Sequence, residues 1–258
     1  MYFLAYCFSF RCCRFALCCR YFTFGACLGC CDFTLRFTLH RRCFTLDSRR
    51  LPFSPGPGDV KSDDSIRAGL ALVPIGWLLA GMPLGMTGHM AGHMIAVAIA
   101  APFLALGLSQ GRLDPACLWP GLVSPMTMML VELVTVWLWH LPALRAATMT
   151  SFPLLGLEQL CFLGAGLLLW SSVLRADHRA AGMGALLLTS MHMTLLGVLI
   201  GLAPRPLYAA ADHHHLAGMD PLIDQQLSGV LMLLVGGASY FIGGLVLLAS
   251  LLRQRGAA

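Results

Sequence analysis

Gly88-His89-Met90-Ala91-Gly92-His93-Met94, followed by IAVAIAAPFLALGL to Leu108, is the stretch on which the reading of this chain turns. It has no acidic residue, lysine or arginine and is about the ~20 residues a helix needs to cross ~30 Å of hydrocarbon. His89 and His93 stand four apart, so they share one face of that helix, one turn from each other. A methionine follows each histidine. Ionisable groups within an apolar span are costly and usually mark function. Imidazole and thioether are ligands suited to copper, the thioether to Cu(I) in particular. A hydrated, packed interfacial pair is the plainer alternative.

The composition agrees with a membrane setting. The chain is 58% hydrophobic and 11% charged, with a mean hydropathy of +0.76. A soluble domain carries about 25% charge. The net charge of +5 belongs to residues 1–60, where eight Arg face Asp32, Asp47 and Asp59. The remainder balances, so the charge says nothing about nucleic acid and no nucleic-acid partner is expected. Nine of the eleven cysteines and ten of the fourteen phenylalanines also fall in 1–60. That stretch has no clean apolar run of 18 or more and no signal-peptide layout, and although Cys27-Leu-Gly-Cys30-Cys31 offers a metal reading, the spaced partner pairs such a site needs are missing. Residues 1–65 therefore read as a Cys/Phe/Arg-rich tail and linker, disordered or the product of a misplaced start.

Residues 66–252 read as an all-α, polytopic membrane domain of six transmembrane helices. The expected spans are Ile66–Leu84, Gly88–Leu108, Gly121–Leu141, Leu154–Leu174, Ala181–Ala203 and Leu227–Leu252, with 253–258 a cytoplasmic tail. Lys61, Arg67, Arg112, Arg175, Arg179, Arg253 and Arg255 would lie on one side, and only Arg145 and Arg205 on the other. The positive-inside rule then places both termini in the cytoplasm.

With that orientation most histidines gather on the outer side. His89 would lie at the outer end of span two with His93 one turn deeper. His140 would end span three, in Trp137-Leu-Trp139-His140, where the two Trp read as headgroup anchors. Glu158 would lie one turn into span four. His213, His214 and His215 would occupy the loop before span six, either solvated or as loose metal capture. His192, between Met191 and Met193, would sit near the middle of span five as a second site or a structural hydrogen-bond donor. Glu132 reads as a buried, hydrogen-bonded group. Asp224 reads as the cap of span six or as a partner of a metal-bound histidine. The expected metal ligands are His89, His93 and His140, with Met90 and Met94 as soft auxiliaries and His192 as a further candidate. Glu158, Asp224 and His213–His215 are expected in supporting roles. A haem held between His93 and His192 is the alternative cofactor. HExxH, Walker, G-x-S-x-G and Rossmann patterns do not occur, and no enzymatic role is expected.

Several of these pieces, in order, resemble the cytochrome c oxidase assembly factors of the CtaG type. They are His89-Met90-Ala91-Gly92-His93-Met94 with Ala101-Pro102-Phe103-Leu104-Ala105-Leu106-Gly107; Trp137-Leu-Trp139-His140-Leu-Pro142-Ala143; Met191-His192-Met193; Leu207-Tyr208; and Asp224-Gln225-Gln226-Leu227-Ser228-Gly229-Val230-Leu231-Met232. The resemblance runs from about residue 66 to 252. Ser228 stands where glycine is expected and Leu233 where an aromatic is usual. The resemblance implies a bacterial inner-membrane protein that matures a haem-copper oxidase, assisting copper insertion at the copper B centre. The implied partners are the oxidase catalytic subunit and the lipid bilayer. A periplasmic copper donor and self-association are left open as further partners. The rival readings are a haem-binding redox protein, a copper permease and a metal-free scaffold for oxidase subunits.

Overall fold

In the computed structural model, residues 62–109, 113–175, 179–208 and 219–256 are described. The expected tail at 1–60, His40, His178 and the His213–His215 run lie outside them. The described residues form helices joined by short turns and loops, with no strand among them.

Helix α1 spans Ser62–Gly81 and α2 spans Gly85–Leu108. The short α3 is Pro115–Leu118, and α4 is Pro125–Trp139. Then come α5, Pro142–Thr150, α6, Phe152–Val173, and α7, Arg179–Gly201. The last helix, α8, begins as Pro221–Leu231, passes through a π-helical segment Met232–Gly237 and continues as Ala238–Gly256. Residues 253–256 of the expected tail continue this helix.

Proline sets several of these starts. Pro115, Pro125, Pro142 and Pro221 each open a helix, where their missing N–H would have no intrahelical partner anyway. Side-chain caps accompany three of them: Asp114 accepts from Ala116 N, Ser124 from Thr127 N and Asp220 from Leu222 N. Asp220 is therefore the cap of α8, whose first residue, Pro221, is six residues ahead of the expected start at Leu227.

Four stretches are long and apolar enough to cross a bilayer: Gly85–Leu108, Phe152–Val173, Arg179–Gly201 and Pro221–Arg253. A fifth, α4 with α5, qualifies only as a pair bent by 71°. The expected straight span Gly121–Leu141 is thus a shorter helix that breaks at His140. The reason is local. Pro142 cannot donate to the α4 ladder, and it disfavours a helical conformation at Leu141, whose ψ is 134°. Helix α1 carries Asp63, Asp64 and Arg67 in its first turns and is not among these spans.

Small residues let the helices close. A Cβ on Gly92 of α2 would stand 2.5 Å from Gly76 O and 2.6 Å from the Ala80 Cβ on α1. A Cβ on Gly229 of α8 would stand 2.6 Å from Gly197 O on α7. Close backbone approach of this kind is how membrane helices gain packing without a hydrophobic drive between them. A second tie runs through a π-helical segment of α2, Ile95–Ala100. There the Val97 carbonyl accepts from Trp170 Nε1 of α6 at 3.3 Å and from Tyr240 Oη of α8 at 3.2 Å. Tyr240 also bonds the buried Glu132 of α4, so the expected structural role of Glu132 has a named partner.

Candidate metal centre

Helix α2 presents different faces to different neighbours. Gly88 and Gly92 lie against α1 and its connection to α2. The imidazoles of His89 and His93 instead meet α6, where Glu158, Gln159 and Phe162 sit on its first turns. All five of these side chains are buried.

Three donor atoms converge. His89 Nε2 and His93 Nε2 are 2.8 Å apart. Glu158 Oε1 is 3.2 Å from the first and 3.4 Å from the second. His89, His93 and Glu158 offer ligand atoms that all lie within 4.8 Å of one another. Neither oxygen of Glu158 has a hydrogen-bond partner of good geometry. Buried polar atoms are nearly always satisfied, so a buried carboxylate aimed at two imidazoles calls for a cation.

His140 completes the wall. It follows the last residue of α4, and its ring centroid is 5.8 Å from that of His93. Its Nδ1 is 2.6 Å from Val136 O. A carbonyl only accepts, so Nδ1 carries the hydrogen and Nε2 presents a bare lone pair. That Nε2 is buried and has no hydrogen-bond partner. A histidine oriented by a backbone carbonyl, with its other nitrogen open, is the usual arrangement of a metal ligand. Tyr208 fixes the backbone there, its hydroxyl donating to His140 O at 2.9 Å. Burial pushes that phenol up to about 12, so it remains a donor. Phe162 closes the space between the rings, stacked on His93 at 3.8 Å and edge-on to His140 at 5.9 Å.

The hydrogen-bond directions can be worked out around the cluster. Arg145 Nη1 on α5 lies 2.8 Å from His89 Nδ1. A guanidinium only donates, so His89 Nδ1 accepts and the imidazole hydrogen sits on Nε2. His89 Nε2 then donates to His93 Nε2, which leaves the hydrogen of His93 on Nδ1. Gln159 is 3.2 Å from that Nδ1, and its amide can present either end. With the carbonyl turned to His93, Gln159 accepts, and its otherwise unpartnered Oε1 is satisfied. One hydrogen thus lies between the two Nε2 atoms, in the place an ion would take.

The other expected residues fall elsewhere. Asp224 is not the cap of α8, a place that Asp220 takes. It caps α2, accepting from Met86 N at 2.8 Å, from Thr87 N at 3.1 Å and from Thr87 Oγ1 at 2.6 Å. Met94 is turned toward Gly236 of α8, away from the imidazoles. His192 is buried on α7 with both ring nitrogens unpartnered, and no bond joins it to the cluster. Arg145, Gln159 and Phe162 were not foreseen as site residues. A lone cation five residues after His140 and a Glu158-Gln159 pair inside an apolar run were the available signals.

Arg145 also lines a cavity of about 320 Å³ between the α1–α2 connection and α5, with Gly81, Met82, Thr148, Ser151 and Phe152. The guanidinium thus stands between that cavity and His89.

A family model described as cytochrome c oxidase caa3 assembly factor (Caa3_CtaG) matches residues 68–254. The chain belongs to this family. It is thus a membrane-helix protein of the cytochrome c oxidase assembly factors, and the cluster described above lies within the matched region, as do the described helices apart from the start of α1 and the end of α8. No curated protein and no solved structure matches the chain.

Proposed function

We propose that this assembly factor holds copper in transit, as cargo, and passes it to the copper B centre of a haem-copper oxidase. His89, His93 and His140 would bind through Nε2 and Glu158 through Oε1. The observation that carries this reading is the convergence of two Nε2 atoms and a carboxylate oxygen, all buried, with a bare His140 Nε2 nearby. Three imidazoles and a carboxylate suit borderline divalent ions, so copper(II), zinc or iron would each fit the donor set. The oxidase family supports copper among these.

The proposed setting is the bacterial inner membrane, with α1 and the α4–α5 pair completing six spans and both termini cytoplasmic. The Lys/Arg asymmetry supports this orientation, and the metal cluster would then lie near the periplasmic side. Copper would reach it through the cavity beside Arg145. A neighbouring guanidinium disfavours a bound cation, which suits a site that must release its load. The docking partner would be the oxidase catalytic subunit, and the role of the chain would be non-catalytic.

The test is a strain carrying His93→Ala. We expect the oxidase to keep its haem and lose copper while the level of this protein is unchanged. Normal copper per haem would sink the reading. Metal analysis of the purified wild-type protein separates copper from zinc and iron, and a Soret band on it would favour the haem reading instead.

A further inference from the structure

The repeat His-Met-Ala-Gly-His-Met puts each methionine about 100° around α2 from the histidine before it. The imidazoles meet α6, and the Met94 thioether meets α8. A Cβ placed on Gly236 would lie 3.0 Å from Met94 Sδ and 3.7 Å from Met193 Sδ of α7. The two sulfurs are therefore no more than 6.7 Å apart, those two distances taken end to end. For Met94 the sulfur, and not its methyl at 3.8 Å, is the nearest atom. Met90 and Met232, both fully buried, lie one turn away on α2 and α8.

The backbone is unusual at the same level. Met94 immediately precedes the π-helical segment of α2, and Gly236 lies within that of α8. Such π segments are rare and often occur at functional sites. Buried methionines commonly do no more than fill gaps. Here, however, sulfurs from two helices face one point on a third, and that point carries no side chain.

We infer that Met94 and Met193, meeting at Gly236, form a thioether site for Cu(I), distinct from the imidazole–carboxylate cluster on the neighbouring face of α2. Thioethers select Cu(I) over zinc, and Cu(I) accepts few ligands. Each methionine has three rotatable side-chain bonds, so a rotamer change can bring both sulfurs onto one ion. Nitrogen–oxygen and sulfur donors are thus sorted onto two faces of one helix. The inference rests on the proposed function for the identity of the metal.

The experiment uses the full-length protein in detergent with its eleven cysteines replaced by serine, loaded without oxygen with Cu(I) alone or with Zn(II) alone, and X-ray absorption at each metal edge. We expect a sulfur shell around Cu(I) and none around Zn(II). The volume-conserving pair Met94→Leu with Met193→Leu should lose the sulfur shell and keep Zn(II) binding. Gly236→Ala, which keeps every sulfur but places a methyl against Met94 Sδ, should weaken Cu(I) binding alone. Absence of sulfur around Cu(I) in the cysteine-free protein with both methionines present, or a shell that persists when both are leucine, overturns the inference. The proposed function fails separately, by normal oxidase copper in the His93→Ala strain.

Discussion

Arg145→Gln should tighten metal binding, although it removes a buried residue that touches the site. Arg145 Nη1 is 2.8 Å from His89 Nδ1. Allowing about 2 Å across the ring and about 2 Å for the metal–nitrogen bond, the guanidinium would stand ~6.5 Å from an ion on Nε2. At an effective dielectric constant of ~20, two unit charges at that distance repel by about 2.5 kcal/mol. Since about 1.4 kcal/mol is a factor of ten, removing the charge should raise affinity by nearly 100-fold for each unit of charge on the ion. Glutamine can donate to Nδ1 in the empty site and, with its amide turned, accept from the Nδ1 hydrogen that a metal on Nε2 requires, so the change removes the charge and keeps a hydrogen-bond partner. The assay is competition between the purified full-length variant, its cysteines replaced by serine, and a chromogenic Zn(II) chelator, because the imidazole–carboxylate cluster suits divalent ions and the thioether pair does not take zinc. In cells the tighter site should release less, and oxidase copper should fall. Affinity that is unchanged or weaker in the variant would refute the placement of the ion at His89 and the role given to Arg145.

Two further outcomes follow from the same geometry. Loading the cluster should move the hydrogen of His89 from Nε2 to Nδ1 and release almost no proton, because both imidazoles are already neutral, the form that binds metal; calorimetry in buffers of different ionisation enthalpy would measure it, and release of about one proton per ion would contradict the derived hydrogen-bond pattern. Asp224→Ala should remove the cap from α2, including two backbone bonds, and destabilise the protein by about 1–3 kcal/mol without altering metal stoichiometry; a lowered melting temperature with normal metal content checks it, and loss of metal at normal stability would instead make Asp224 part of the site.

Much of the site was legible because it is local. His89 and His93 share a face by helical spacing alone, and no neighbour is needed to say so. The membrane character, the separation of the first sixty residues and the family resemblance likewise follow from composition and order along the chain. The break after His140 could have been read from Pro142, but the long apolar run around it masks a two-residue interruption.

Partners separated by 56 to 138 residues are set by packing, and one-dimensional spacing does not carry them. Which way α6 is rotated decides that Glu158 and Gln159 face the imidazoles. The 71° bend brings Arg145 back onto His89. The rotation of α8 decides that Asp224 caps α2 and that Gly236 lies against Met94. The sequence by itself determined an apolar helical chain with a histidine pair in a membrane-length span. The tertiary structure decided which other side chains meet that pair, because on a helix a residue's neighbours beyond one turn are chosen by the axis and rotation of the next helix.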